Sequence, residues 1–288
     1  LKDLSYGITG FLDVLGFADR VRAAKSFKHI DAIVSQIRTI QKEFEFASKD
    51  VTVKQVHAGM KKTVLAFSDS VIVNIPMRST MAKLQGTFDL VMSELAGMAL
   101  AQGMCATSGL FLRGGVDIGW WYRKSTILAS ESLVGAYSAE DNAIVPIIRL
   151  TDGLHKFVSE HPHRRFYSKE IDPVKTMLRQ YSGTGPKGPI SFWYLDIRVV
   201  AESIDWAPSM QERPAFLATT PEQRVRIRAK GYEKVLREWF RDHARSITRA
   251  HVAAQNDRVR KKYLWLAEYH NEIAERFTQA PLAFCKIG

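Results

Sequence analysis

Apolar and polar positions along the chain change period several times, and each change predicts an element. Leu4 to Leu15, with its YGITGFLDVL run, predicts a strand that ends in a turn at Gly16. Behind it, Val21, Ala24, Phe27, Ile30, Ile33, Val34, Ile37, Ile40 and Phe44 recur every three or four residues and predict one helix with a single buried face. Two β-rich runs, Thr63 to Phe67 and Val71 to Ile75, are joined by Ser68, Asp69 and Ser70 and predict a hairpin. Leu84, Phe88, Val91, Met92, Leu95, Met98 and Ala99 then mark a second amphipathic helix from Thr80 to Met104. Leu110 to Trp121 and Ser125 to Ala129 predict another strand pair, followed by a short helix from Leu133 to Asp141.

Strand, helix, two strands, helix and strand in that order give an α+β fold with a ferredoxin-like βαββαβ core, extended by one strand and one helix. The expected architecture is one sheet covered by helices on one face. The cluster SGTGPKGP, Ser182 to Pro189, predicts a loop, and Ser191 to Val200 a final strand. Past Pro208 the pattern becomes helical throughout, opened by Thr220, Pro221 and Gln223 as a capping box with proline at the first helical position. The division expected is therefore a domain of residues 1–204 and a helical C-terminal extension of residues 205–288.

Composition agrees with a packed chain: 288 residues, 46% hydrophobic and 25% charged, exclude general disorder. No apolar run approaches the roughly 20 residues of a membrane span, and no secretory leader is evident, so the expectation is a cytoplasmic protein without a membrane partner. The chain begins at Leu1 rather than Met, which leaves room for a leading segment. Two cysteines, Cys105 and Cys285, make neither a disulfide framework nor a zinc cluster. The net charge of +11 is uneven: Glu222 to Lys262 hold 13 Lys/Arg against 5 Asp/Glu. That basicity belongs to the C-terminal helices, and the first two hundred residues need another explanation.

Their informative stretch is Phe11-Leu12-Asp13-Val14-Leu15-Gly16-Phe17-Ala18. A carboxylate leaving a buried strand is costly unless a cation compensates it, and the helix start behind Gly16 aims free N–H groups at whatever binds there. A strand-end Asp capping the next helix is the plainer alternative. Asp69 adds a second carboxylate at a hairpin tip, where turn chemistry alone would also explain it. In a βαββ order the two positions become neighbours, and the pair makes an oxygen-ligand site suited to Mg²⁺ or Mn²⁺.

With both motifs in view, roughly residues 5–150 resemble the catalytic domain of class III nucleotidyl cyclases. FLDVLGF is similar to that family's first-strand F-x-D-I-x-G-F pattern, Phe67-Ser68-Asp69 stands where its G-D hairpin does, and LRGGVDIG is similar to its R-x-G-I-x-x-G strand. The resemblance implies that Asp13 and Asp69 are catalytic and bind two divalent ions, with the Val14 carbonyl completing one coordination shell. It implies a phosphate cradle from the Leu15, Gly16, Phe17 and Ala18 backbone, and attack of a ribose 3′-oxygen on the α-phosphorus with loss of pyrophosphate.

Departures from that family point to a changed base preference. Leu65 and Ile127 stand where purine cyclases carry base-contacting Lys and Asp, while Val134 and Ser138 stand where they carry a ribose-contacting Asn and a phosphate-contacting Arg. Together with the segment Leu133 to Leu150 and the helical C-terminus, these make the chain resemble the bacterial pyrimidine cyclases of Pycsar antiphage defence. That resemblance implies a homodimer with shared active sites that converts UTP to 3′,5′-cyclic UMP, and a separate cyclic-nucleotide effector downstream. CTP, then ATP or GTP, are the alternative substrates, and a catalytically silent nucleic-acid-binding module is the alternative of another class.

Further residues carry two readings each. Arg113, Arg123 and Lys124 are expected as nucleotide or partner contacts, or as solvated strand-edge charges. Asp117 is a third acidic ligand or a surface strand residue. His155, His161 and His163 suggest a metal only superficially and read better as a polar loop. Trp120, Trp121 and Tyr122 fit base stacking less well than a core or interface strand. Arg224, Arg226, Arg228, Lys230, Lys234, Arg237, Arg241, Arg245 and Arg249 alternate with apolar residues, as in a helix packed on one side, and polyanion binding is the functional alternative.

Overall fold

The computed structural model describes residues 3–45, 59–185 and 188–287. The chain divides into two compact units, Leu1–Ala106 with Leu110–Asp196, and Thr107–Gly109 with Ile197–Gly288. In the first unit the elements run β1 (Leu4–Val14), α1 (Phe17–Ala23), α2 (Phe27–Glu45), β2 (Thr63–Phe67), β3 (Ser70–Pro76), α3 (Thr80–Gln85), α4 (Thr87–Thr107), β4 (Leu112–Lys124), β5 (Ile127–Ser130) and α5 (Glu131–Asp141). They continue with β6 (Ile148–Leu150), α6 (Asp152–Glu160), α7 (Pro173–Met177), β7 (Leu178–Gly185) and β8 (Gly188–Leu195).

The sheet order is β2-β3-β1-β4-β6-β8-β7, with β5 on the far half of β4. Its first four strands are antiparallel with β1 inside, the ferredoxin-like arrangement that the element order predicts. β4 pairs with β6 in parallel, and β7 and β8 close that edge as an antiparallel ribbon.

Helices cover both faces of this sheet, where one face was expected. A Cβ on Gly10 would lie 3.2 Å from Met98 of α4, whereas one on Gly115 would lie 2.1 Å from the Ala136 carbonyl of α5. Gly115 pairs with Phe11, so it lies on the face opposite Gly10. Only glycine at 115 lets α5 lie so close to the sheet, and that contact makes the second layer. α4 is long and apolar enough to cross a membrane by length and composition, but 72% of its apolar window is buried inside the fold. Its Phe88, Leu90, Leu95 and Met98 belong to the core.

Several boundaries differ from the sequence reading. The helix expected through Val21 to Phe44 is two, broken at Ala24, whose backbone is extended. The helix expected from Thr80 to Met104 is also two, because Gly86 adopts a positive φ of 89° and stops α3. Most of the cluster read as a loop at Ser182 to Pro189 pairs instead, with Ser182 opposite Ser191 and Gly185 opposite Gly188; Pro186 and Lys187 lie outside the described residues. Cross-strand hydrogen bonding overrides the turn-like composition there. The strand expected to run to Val200 stops at Leu195, and Val199 and Val200 are helical.

The second unit contains α8 (Arg198–Ser203), α9 (Arg213–Leu217), α10 (Pro221–Ala253) and α11 (Asp257–Ala274). The Thr220 side chain accepts from the Gln223 N–H and Gln223 reaches back to the Thr220 N–H, the capping box read from the sequence. Leu236, Trp239, Phe240, Ala244 and Ile247 of α10 and Leu266, Ala267, Ile273 and Ala274 of α11 are buried. Within this core, His243 and His270 face each other with Nδ1 atoms 2.9 Å apart.

Candidate active site

The backbone brings the two distant aspartates together. Leu12 and Val14 are buried on one face of β1, which turns the intervening Asp13 to the α5 face. Asp13 pairs with Ser70 at the start of β3, so the β2-β3 turn lies beside the end of β1. Ser68 in that turn takes a positive φ of 55°, and the Asp69 carbonyl accepts a hydrogen bond from the Val14 N–H at 3.2 Å. The Asp13 and Asp69 side chains hydrogen-bond to each other.

Two carboxyl groups in contact cannot both hold full negative charge in a partly buried place. Burial pushes the Asp13 pKa up to about 7, reinforced by the charges of Asp69 and Glu140 and by the hydrogen bond with Asp69; Arg113 acts the other way.

Arg113 stands opposite Asp13 on β4. Its guanidinium lies 3.9 Å from an Asp13 oxygen, forms an ion pair with Glu140 and donates to the Ala143 carbonyl at 3.4 Å. Glu140, in the last turn of α5, is buried and was absent from the sequence reading. Its position follows from the close passage of α5 over Gly115. The glycine pair in LRGGVDIG was the available signal, since two adjacent glycines in a strand mark close approach of another backbone.

Of the proposed phosphate cradle, Leu15 must be withdrawn. Its N–H donates to the Phe111 carbonyl at 2.9 Å and is committed to the sheet. Gly16, with φ 74°, makes the left-handed turn that starts α1, and Phe17 and Ala18 follow as its first residues. Phe17 is buried, which anchors this turn.

Arg123 and Lys124 lie apart from the aspartates. They are ten and eleven residues beyond Arg113 on an extended strand, roughly 33 Å or more away at 3.3 Å per residue. Asp117 is also separate: it accepts a hydrogen bond from Thr151 at the start of α6, and burial raises its pKa. Four residues of strand, roughly 13 Å, separate it from Arg113. It anchors α6 rather than serving as a third acidic ligand. Among the described residues no group of three or more His, Cys, Asp and Glu gathers as a metal cage. His155 stacks on Trp193, and His161 hydrogen-bonds Thr87. Trp121 is buried in the sheet, while Trp120 is exposed.

Two residues inward from Asp13 and on its face, Phe11 meets the edge of Tyr137 from α5, with ring centroids 5.3 Å apart. Tyr137 and Val134 are exposed there at 55% and 67%. The end of the sheet thus presents acidic oxygens, a tethered guanidinium and an aromatic-apolar rim.

No protein-family model matches the chain, and no curated protein does. Among solved structures it is similar to a class III adenylyl cyclase-like ATP-binding protein from Pseudomonas aeruginosa, with 13% identity over 60% of this chain and 39% of that one, TM-score 0.40. It is also similar to a bacterial light-regulated adenylyl cyclase, with 13% identity over 67% of this chain and 52% of that one, TM-score 0.39. A third is the guanylate cyclase domain of RhGC from Catenaria anguillulae in complex with GTP, with 9% identity over 67% and 97% of the two chains, TM-score 0.39. The chain spans about two fifths and half the length of the first two.

Proposed function

We propose that this chain is a metal-dependent nucleotidyl cyclase that converts a pyrimidine nucleoside triphosphate, UTP before CTP, to its 3′,5′-cyclic monophosphate and pyrophosphate. The observation that carries this reading is the direct contact of the Asp13 and Asp69 carboxyl groups at one end of the sheet. Two converging carboxylates suit Mg²⁺ or Mn²⁺, which take oxygen donors and complete their shells with water and substrate phosphates. Asp13 and Asp69 would hold two ions, with the Val14 carbonyl as a further oxygen. When bound, such ions lower the cost of forming an attacking alkoxide and neutralise charge on the leaving phosphates.

The chain's own groups have separable tasks in this proposal. Asp13 and Asp69 would hold an ion as carboxylates, so Asp13 would give up the proton that burial favours. Arg113, kept within reach by Glu140, offers a guanidinium to phosphate oxygens. Gly16, Phe17 and Ala18 supply backbone N–H groups at the start of α1. The pyrimidine preference is supported by apolar residues where purine readers would stand, Ile127 exposed and Leu65 half-buried. Exposed Tyr137 and Val134 on α5, with Tyr137 against Phe11 two residues from Asp13, favour a homodimer in which a second copy completes each pocket. The same proposal includes cytoplasmic action in antiphage defence, with the cyclic product read by a separate effector.

Incubation with each of the four nucleoside triphosphates and Mn²⁺, followed by chromatography of the product, tests the reading. Cyclic UMP or cyclic CMP with pyrophosphate is expected. Turnover of ATP or GTP alone removes the pyrimidine assignment, and no cyclic product from any of the four removes the cyclase assignment.

A further inference from the structure

The second unit carries a feature that nucleotide cyclisation does not use. α10 is 33 residues long, but its buried residues begin only at Leu236. Nine of the ten residues 221–230 are exposed, Arg224 being half-exposed. Packing resumes at Gly231, where an added Cβ would lie 2.2 Å from the Trp206 ring. The first three turns, roughly 15 Å of helix, bury no side chain fully; Val225 is 69% and Ile227 37% exposed, and the Asp205–Trp206 segment lies along one side.

Cations on this segment form two stripes. At 3.6 residues per turn, Arg224 and Arg228 lie about 40° apart, Arg226 and Lys230 lie about 40° apart, and the two pairs point about 160° away from each other. Arg224, Arg226 and Lys230 make no ion pair among the described residues. Arg228 is bound to Asp205 at 2.6 Å, but both side chains are more than 60% exposed, so a phosphate can replace that carboxylate at little expense. The apolar residues Val225 and Ile227 fall on opposite flanks between the stripes, again about 160° apart.

This arrangement selects among polyanions. A membrane-surface helix needs its apolar residues on one side and its cations on the other, which Val225 and Ile227 do not provide. Opposed cationic stripes fit a trough walled by phosphate on both sides. The major groove of B-form DNA is such a trough, about 12 Å wide and able to admit an α-helix, whereas that of duplex RNA is deep and too narrow for side chains to read.

We propose that the first three turns of α10 are a duplex-DNA-binding element that enters the major groove, with Arg224 and Arg228 against one phosphate wall and Arg226 and Lys230 against the other. The contacts are with the backbone and carry no base preference.

Fluorescence anisotropy of the full chain with a labelled, arbitrary-sequence DNA duplex tests this. Four phosphate contacts predict a log–log salt slope near −3.6, or about 150-fold weaker binding at 200 mM than at 50 mM salt. The double variants Arg224→Gln with Arg228→Gln, and Arg226→Gln with Lys230→Gln, are each expected to halve that slope, leaving about a 12-fold change over the same range. Their melting temperatures should stay close to the parent's, because none of these side chains is buried and the Arg228–Asp205 pair is open to solvent. Arg258→Gln with Lys261→Gln, on α11, should bind as the parent does. The proposal is overturned if only one stripe matters, if the α11 pair weakens binding as much, if duplex RNA binds as well as DNA, or if the chain binds anionic phospholipid vesicles and not the duplex.

Discussion

Two polar clusters lie on the α5 face of the same sheet, about 13 Å apart along β1, and they are finished differently. Midway along, the Asn74 amide donates to Thr9 Oγ1 at 3.0 Å and to the Ile8 carbonyl at 3.2 Å; the Thr9 and Ser132 hydroxyls are 2.6 Å apart, and Ser132 reaches Ser130 at 3.0 Å. Ser130 in turn donates to the Trp120 carbonyl at 3.0 Å. All four residues are buried and neutral, and their hydrogen bonds close on protein groups. At the strand end, Asp13 and Glu140 share the Arg113 guanidinium, and Asp69 lies against Asp13, so three carboxyl groups crowd one another there. The first cluster completes itself, as a structural network must. The second crowds like charges and holds the Asp13 carboxyl up to a pKa of about 7, which sets it apart from the buried neutral joint.

The largest test of this contrast removes charge from the crowded cluster. Asp13→Asn or Asp69→Asn should reduce turnover by a factor of about a thousand or more, a loss of about 4 kcal/mol in transition-state stabilisation. Thermal melting of the metal-free variants should be unchanged or higher, because each substitution relieves like-charge contact. Pyrophosphate release and melting curves on the same preparations check both parts. Unfolding of both variants would make the two clusters alike.

The opposite result is expected in the middle of the sheet. Thr9→Val keeps the shape but removes the oxygen that accepts from Asn74 and contacts Ser132, leaving buried polar groups without that partner. Loss of about 1 to 3 kcal/mol of stability is expected, measured by urea unfolding, with turnover per folded molecule and Mn²⁺ affinity unchanged. A fall in Mn²⁺ affinity would show the two clusters to be coupled.

How far each cluster was legible in the sequence follows from what brings it together. Asp13 and Asp69 meet because a strand pairs with a hairpin, and alternation plus element order is enough to place both at one sheet end. Glu140 and the Thr9 chain depend on α5 lying against Gly115, a packing distance that no periodicity of residues 131–141 reports. The commitment of the Leu15 N–H to Phe111 likewise depends on where β4 begins, two residues later than its apolar run suggests. Of the β7-β8 ribbon only Ser191 to Leu195 was legible, for a third reason: Ser182 to Pro189 carries turn composition, and pairing between neighbouring segments decides its conformation.

The helical unit offers a way to turn a completed cluster into an unfinished one without mutation. His270 Nε2 lies 2.8 Å from the Ala283 carbonyl, which can only accept, so Nε2 carries the proton and Nδ1 accepts from His243 Nδ1–H. Burial lowers both pKa values, that of His270 to about 4 and that of His243 well below the usual range, the latter also through His270. The unfolded chain takes up these protons near pH 6.5, while the folded chain refuses that of His270 until about pH 4 and holds that of His243 off as well. Stability is therefore complete above about 6.5 and is lost as pH falls through this window. For His270 alone the loss between pH 7 and pH 5 is about 2 kcal/mol. Urea midpoints of the parent and of His270→Gln across that range measure it, and the variant's pH slope should be the shallower one.

The smallest effect concerns the same proton balance at the crowded cluster, where the sign reverses. Asp13 with a folded pKa of about 7 binds its proton more tightly than the unfolded chain does, so the metal-free protein loses stability as pH rises from about 4 to 7 and is flat above. A cation held by Asp13 and Asp69 would have to displace that proton. Mn²⁺ affinity should therefore fall about tenfold from pH 8 to pH 6, with proton release on binding near pH 6. Calorimetric titration of Mn²⁺ in two buffers of different ionisation enthalpy reads both quantities. Glu140→Gln removes one of the charges that raise the Asp13 pKa and should move the midpoint of this dependence to lower pH. An Mn²⁺ affinity independent of pH over this interval would mean that the carboxyl pair is not where the ion binds.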